Sequence, residues 1–134
     1  MRLECDGERV SKDDVGRMGE VLAAKHLRSV GYKVLRRNFR AVDGGEVDIV
    51  CRDVDVLAFV EVKTRTSLDY GRPIDAVTMD KRFLIARGAF EWLRLLGRPG
   101  GSINYRFDVV EVLLTDGQPP SSMSSERRSR PRSR

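Results

Sequence analysis

The sequence predicts an α/β fold in which helices flank a mixed β-sheet, with the elements in the order αβββαβ. Two segments with helical periodicity, at about 12–30 and 78–96, are each ended by a glycine. Three short strand-like segments lie between them, and a fourth follows the second helix. Helices that bracket strands in this way are typical of a sheet covered by a helical layer.

The first helix and the first strand have clear local signals. Ser11, with Asp14 three positions later, resembles a capping box in which Asp replaces the usual Glu or Gln. The helix then runs to Gly31. The segment "YKVLRRNF" at 32–39 predicts a strand, and Asp43-Gly44 predicts the turn after it.

The remaining elements follow the same logic. The segments "EVDIVCR" (46–52) and "VLAFVEVK" (56–63) predict two strands joined by a tight connection, which makes them expected neighbours in the sheet. A polar loop covers 64–73, and the second helix follows it. After that helix, "INYRFDVVEVLL" (103–114) predicts a long final strand.

Length and charge predict one folded domain with extensions at both ends. A flexible segment at 1–10, a folded domain at 11–115 and a disordered Arg/Ser/Pro-rich tail at 116–134 account for the 134 residues. From residue 117 onward, five arginines and one glutamate give a net charge of +4, which leaves +1 for residues 1–116. Such a tail either holds polyanions loosely or only solvates the chain.

Composition also excludes several classes of protein. No apolar run approaches the roughly 20 residues of a membrane span, so no membrane association is expected. The first ten residues lack the apolar stretch of a signal peptide, and Cys5 and Cys51 supply no disulfide framework. A cytoplasmic location is therefore predicted.

Acidic side chains on neighbouring strands predict a metal site. Glu61 and Lys63 are two positions apart and point to the same side of one strand. If the register permits, Asp48 on the preceding strand lies beside Glu61. Two adjacent carboxylates at the edge of a low-dielectric interior repel each other unless a cation lies between them. Oxygen ligands of this kind favour Mg²⁺ or Mn²⁺.

Glu20 on the first helix is a candidate third carboxylate. The residues nearest to it on a helical wheel include Gly16, Ala23, Ala24 and Leu27. Small residues there allow a close approach of the helix to the sheet, which carries Glu20 toward the same site. The alternative is an exposed glutamate at the edge of an amphipathic helix, because Asp13 and Arg17 are also nearby.

These residues resemble a known motif. Asp48 in "GEVDIV", followed 13 residues later by Glu61 in "FVEVKTR", is similar to the bipartite motif of the PD-(D/E)xK nuclease superfamily. Those two segments, together with "GEVLAAKHLRSVGYKVLRRNFR", "GRPIDAV" and "YRFDVV", resemble the uncharacterised bacterial YraN-type family, itself similar to archaeal Holliday junction resolvases. The resemblance covers roughly residues 14–114 and implies a restriction-endonuclease-like core.

The resemblance also implies roles for individual residues. Asp48, Glu61 and Glu20 would bind Mg²⁺ or Mn²⁺, assisted by the backbone carbonyl of Val62, and Lys63 would orient or activate the attacking water. The implied activity is metal-dependent endonucleolytic hydrolysis of phosphodiester bonds in DNA, with branched DNA in repair or recombination as the expected substrate. By analogy with resolvases, a homodimer is expected.

Three basic residues are weaker candidates for phosphate contacts, namely Arg65, Arg72 and Lys81. The alternative for each is a solvated side chain, which we favour for Arg72. Asp108 is expected to pair with an arginine that stabilises the fold. Trp92 is expected to pack in the core or at a helix interface.

Two other functions are consistent with the sequence. One is a nucleic-acid-binding module that retains the site but cleaves little. The near-neutral charge of residues 1–116 argues against an efficient nuclease for duplex DNA, because a duplex-binding protein usually has a strongly basic face. A scaffold that recruits a partner through the aromatic second helix or the arginine-rich tail is the other.

Overall fold

The computed structural model describes residues 4–5, 8–9, 11–66, 78–97, 103–114 and 121–127. The elements in chain order are β1 (Glu4–Cys5), β2 (Glu8–Arg9), α1 (Lys12–Ser29), β3 (Lys33–Arg40), β4 (Glu46–Asp53), β5 (Val56–Thr66), α2 (Met79–Leu95), β6 (Asn104–Leu114) and β7 (Ser121–Arg127). The predicted αβββαβ order is confirmed, and it corresponds to α1 through β6.

Both helices begin at a side-chain cap. The hydroxyl of Ser11 accepts a hydrogen bond from the Asp14 N–H at 3.1 Å, as predicted, and the hydroxyl of Thr78 does the same for the Lys81 N–H at 3.2 Å. After α1, Gly31 has a φ of +100°, which explains why the helix ends there. Within the described residues, no helix is both long and apolar enough to cross a membrane.

The main sheet is mixed, as predicted, with the strand order β3-β4-β5-β6-β7. Strands β3, β4 and β5 form an antiparallel meander. In contrast, β5 and β6 pair in parallel along their whole length of 11 residues. The connection between parallel partners has to cross the sheet, and α2 lies within that connection.

Both ends of the chain contain strands where the sequence predicts flexibility. In the predicted tail, 121–127 form β7, which pairs antiparallel with the outer edge of β6. In the predicted N-terminal segment, β1 and β2 pair with each other. Backbone hydrogen bonds to an open edge need no apolar side chains, so composition does not reveal such a strand.

The sheet has one buried cluster on each face. The cluster on the α1 face contains Ala23, Ala24, Leu27, Ile49, Cys51, Ala58, Val60, Val62, Val110, Val112 and Leu114. The cluster on the α2 face contains Phe39, Val47, Val50, Leu57, Phe59, Ile85, Ala89, Leu93 and Val109. Trp92 packs edge-on against Phe39, with ring centroids 5.2 Å apart, which agrees with the packing role expected for it.

A buried ion pair holds β6 on the α1 side. The guanidinium of Arg106 donates to both carboxylate oxygens of Asp108, at 3.0 and 3.2 Å. It also donates to Asp53 at 3.3 Å and to the hydroxyl of Tyr32. Both partners are nearly inaccessible, at 9% and 5% exposure. The prediction that Asp108 pairs with an arginine is confirmed.

The absence of a side chain at Gly19 brings α1 close to β5. A Cβ atom at this position would lie 1.8 Å from the Thr64 hydroxyl oxygen and 2.8 Å from its Cβ. Threonine is β-branched and stiff, so it has little freedom to move aside. This contact, together with the small residues predicted to face the sheet, lets α1 carry Glu20 toward the strands.

We expect Gly19→Ala to lower the free energy of unfolding by about 1–3 kcal/mol, because the new methyl group overpacks against Thr64. The matched control is Gly16→Ala, three residues earlier in α1, where an added Cβ meets no atom within 4 Å. That variant should be stabilised by about 0.5–1 kcal/mol through helix propensity. Urea denaturation of both variants tests the contact, and equal effects would contradict it.

Candidate active site

Strand β4 changes face at Asp48. A regular strand places Val47 and Ile49 on the same side, as the sequence predicts, but Val47 packs on the α2 face and Ile49 on the α1 face. The pairing of β4 with β5 ends at Ile49 opposite Val60. Asp48 therefore lies just beyond the last pair, where its side chain is free to turn toward β5.

Strand β3 is irregular at the same level. Asn38 has a φ of +55°, in the left-handed region that asparagine tolerates better than most residues. Its neighbours Arg37 and Phe39 pair with Ile49 and Val47, so Asn38 and Asp48 face each other across the ladder. Two adjacent strands thus deviate side by side, and such deviations cluster at functional sites.

The structure brings Asp48 and Glu61 together, as predicted. A carboxylate oxygen of Asp48 accepts a hydrogen bond from the Val62 N–H at 2.8 Å, which anchors Asp48 to β5. Glu61 is only 4% exposed. Burial and the charge of Asp48 raise the pKa of Glu61 to about 8, and a side-chain hydrogen bond with Asp48 acts in the same direction.

Two ammonium groups act on this pair. The Nζ atom of Lys81 lies 3.8 Å from Oε1 of Glu61 and 3.4 Å from Oε2 of Glu46. The positive charges of Lys81 and Lys63 both lower the pKa of Glu61, against the larger effect of burial. The predicted Lys63 is therefore close enough to act on the pair, and Lys81 lies in the site itself.

Glu20, on α1, lies near Asp48. Burial and the charge of Asp48 raise its pKa, whereas a hydrogen bond to Asn38 and the charges of Arg37 and Arg40 oppose that shift. Among the described residues, no three His, Cys, Asp or Glu side chains are grouped closely enough to hold one metal ion. Direct ligation by Glu20 therefore stays a prediction.

The other predicted phosphate contacts have different surroundings. Nε of Arg65 lies 3.5 Å from a carboxylate oxygen of Glu111, and both side chains are largely buried. Arg72 lies outside the described residues. Contact of Arg65 with a nucleic acid also stays a prediction.

Glu46 was missed by the sequence-based reasoning. Besides its contact with Lys81, it accepts a hydrogen bond from Arg40 at 2.9 Å. Glu46 is two residues before Asp48 in the same short motif, and this position was the one feature of the sequence that could have indicated a place in the site. Alternation alone gave no reason to connect it with a lysine 35 residues later.

The chemistry of the site suits a hard divalent cation. Oε1 of Glu61 is buried and accepts no hydrogen bond, and the Lys81 ammonium is 3.8 Å away, so this oxygen has an unused acceptor position. Mg²⁺ is commonly held by one or two carboxylates, with water and substrate phosphate completing its shell. Asp48 and Glu61 supply that minimum set.

A separate cleft of about 400 Å³ lies nearer the turn between β4 and β5. Its walls are Leu35, Arg52, Asp55, Leu57, Trp92, Leu96 and Ile103. None of the predicted site residues that the structure describes lines it. The concentration of acidic and basic groups is at the carboxylate pair, and we take that pair as the candidate active site.

Comparisons with known proteins match most of the chain to one family. A family model described as "Uncharacterised protein family UPF0102" matches residues 19–112, which include Glu20, Asp48, Glu61 and Lys63. A "UPF0102 protein" of Trichlorobacter lovleyi is 50% identical over 111 residues, covering 80% of this chain and 83% of that protein. One of Nocardia farcinica is 47% identical over 109 residues, covering 81% and 84%. A third, of Chloroherpeton thalassium, is 38% identical over 103 residues, covering 77% and 78%.

Proposed function

The chain belongs to the uncharacterised protein family UPF0102, and on that premise we propose that it is a metal-dependent endonuclease that hydrolyses phosphodiester bonds in DNA. The observation that carries this proposal is the pair formed by the buried Glu61 and the half-buried Asp48. One oxygen of the pair has no hydrogen-bond donor, and two lysines lie nearby. The resemblance to PD-(D/E)xK nucleases supports the same activity and favours branched DNA as the substrate.

Asp48 and Glu61 are the residues that would hold Mg²⁺ or Mn²⁺. The bound cation would supply charge neutralisation at the phosphate and a lower pKa for an attacking water. Glu61 has to lose its proton for this role, because only the charged carboxylate is a good ligand. The Val62 N–H holds one carboxylate oxygen of Asp48 in place.

The remaining groups have distinct parts in hydrolysis. The attacking water gives up a proton as its oxygen bonds to phosphorus, the bond from phosphorus to one ester oxygen breaks, and that ester oxygen takes up a proton. Lys63 lies where its charge acts on Glu61, so we assign to it the orientation of the water and the neutralisation of developing negative charge. Lys81 compensates the charge of Glu61 and Glu46.

A second candidate is a nucleic-acid-binding module with weak or no cleavage. The ammonium of Lys81 already lies between two carboxylates of the site, which supports a protein that does not need a metal for its electrostatic balance. The exposed aromatic residues Phe83 and Phe90 on α2 are the corresponding feature for a scaffold that recruits a partner.

Labelled branched and linear DNA, incubated with Mg²⁺ or Mn²⁺, separates these functions. We expect the parent protein to cleave at least one substrate and Glu61→Ala to lose at least about 100-fold of that activity while still binding DNA. Asp55→Asn, in the turn between β4 and β5, is the matched control and should retain full activity. Binding without cleavage of any substrate by the parent protein would favour the second candidate.

A further inference from the structure

Strand β3 concentrates positive charge. Four of its eight residues are basic and none is acidic, and all four basic side chains are exposed. They are Lys33, Arg36, Arg37 and Arg40. Since residues 1–116 carry a net charge of only +1, this strand is a basic feature on an otherwise balanced domain.

The position of β3 makes these charges accessible from the side of the sheet. It is the last strand of the order β3-β4-β5-β6-β7, so among the described residues no strand of that sheet pairs with its outer edge. Arg37 pairs with Ile49 of the α1 face, whereas Arg36 pairs with Val50 of the α2 face. The basic side chains therefore lie on both sides of one edge.

The row of charges leads to the carboxylate pair. Arg37 and Phe39 are opposite Ile49 and Val47, the two residues that flank Asp48. At the other end, Lys33 is opposite the exposed Arg52, which extends the positive charge away from the site. At about 3.3 Å per residue, Lys33 to Arg40 spans about 23 Å. That length equals the rise of about seven base pairs along the axis of duplex DNA.

We propose that the edge of β3 is the surface along which the phosphate backbone of the nucleic acid lies as it approaches Asp48 and Glu61. The identity of the partner as a phosphodiester chain rests on the proposed function. A row of cations binds a polyanion. This row ends at a carboxylate pair that suits a divalent cation, which favours a phosphodiester chain over other polyanions.

Two of the cations are available for this contact. In the part of the chain that the structure describes, no ion pair joins Lys33 or Arg37 to an acidic group. Arg40 is paired with Glu46 at 2.9 Å, and Arg36 lies 5.9 Å from the centre of the Phe39 ring. Lys33 and Arg37 are therefore the residues to change.

Charged residues on an edge strand also serve another purpose, since they prevent edge-to-edge association of sheets. The two roles differ in their salt dependence. Each phosphate contact contributes about 0.9 to the slope of the logarithm of the DNA-binding constant against the logarithm of the salt concentration, whereas protection of an edge contributes nothing to it.

The test is a salt titration of DNA binding by fluorescence anisotropy, with the full chain and a metal chelator to prevent cleavage. We expect Lys33→Gln/Arg37→Gln to reduce the slope by about 1.8 and to weaken binding about tenfold near 0.1 M salt. The control is Lys25→Gln/Arg28→Gln, which removes the same charge from exposed positions of α1 and should change the affinity less than twofold. Circular dichroism verifies that both variants are folded.

Equal losses in the two double variants would show that only net charge matters, and the inference would be wrong. It would also be wrong if the β3 variant bound DNA as the parent does and only self-associated, or if the parent bound anionic lipid vesicles but no DNA. Failure of the proposed function would give a different result from failure of this inference. Binding that depends on β3, without cleavage, would support this surface and contradict the endonuclease activity.

Discussion

At pH 9, without divalent metal, Glu61→Gln is expected to be more stable than the parent protein by a few kcal/mol. The folded protein raises the pKa of Glu61 from an ordinary value of 4.5 to about 8, chiefly through burial. A raised pKa means that the fold favours the protonated carboxyl. The stability that the protonated Glu61 contributes is fully present below pH 4.5 and is lost as the pH rises through about 8. Each pKa unit corresponds to about 1.4 kcal/mol.

Glutamine has nearly the shape of a protonated glutamate and carries no charge at any pH, so the advantage of the variant should grow between pH 5 and pH 9. Urea denaturation at both pH values in the presence of a chelator measures it. Glu91→Gln is the control, because Glu91 is in a surface ion pair with Arg94 and should differ little from the parent. An equal difference at the two pH values would contradict the burial of a titrating Glu61.

Excess Mg²⁺ should reverse the order of stability at pH 9. A ligand that binds only the folded state stabilises it in proportion to the logarithm of its concentration. The parent protein would gain this stabilisation through Glu61, and the glutamine variant would lose most of it. This readout requires no cleavage, so it tests the metal site independently of any substrate.

Arg106→Met is expected to lower the free energy of unfolding by about 3–5 kcal/mol. The substitution removes the guanidinium that donates to both oxygens of the buried Asp108. An unpaired charge in that position is costly because little solvent reaches it. The loss should appear in urea denaturation at pH 7.

The double variant Arg106→Met/Asp108→Leu separates the cost of an unpaired charge from the cost of lost packing. Removal of both charges leaves an apolar contact of similar size, and we expect it to recover much of the stability lost in the single variant. If the double variant is as unstable as the sum of the two single variants, the pair is not the source of the effect.

The sequence was sufficient for the order of the helices and strands, because periodicity and glycine signals are local. It was also sufficient for the pairing of Asp48 with Glu61, since a tight connection between two strands makes them neighbours. It did not predict the change of face at Asp48. A strict period of two assigns Val47 and Ile49 to one side, and the deviation depends on β3, where Asn38 has a positive φ.

Lys81 was predicted only as a phosphate contact at the start of the second helix. Its position between Glu46 and Glu61 depends on how α2 packs over the sheet, which no local pattern contains. Strand β7 was missed for a different reason. A Ser- and Arg-rich segment has no apolar alternation, yet its backbone still pairs with β6.

The parallel ladder between β5 and β6 has a consequence for the folding rate. Every pair in it joins residues 48 positions apart, from Val56 with Asn104 to Thr66 with Leu114. Contacts so distant along the chain carry a large loop-closure entropy and slow the search for the native state. The meander of β3, β4 and β5 has short connections and should form first. The Asp48–Glu61 pair would then form early, while it is still hydrated. It would be buried only when α2 and β6 pack onto the meander.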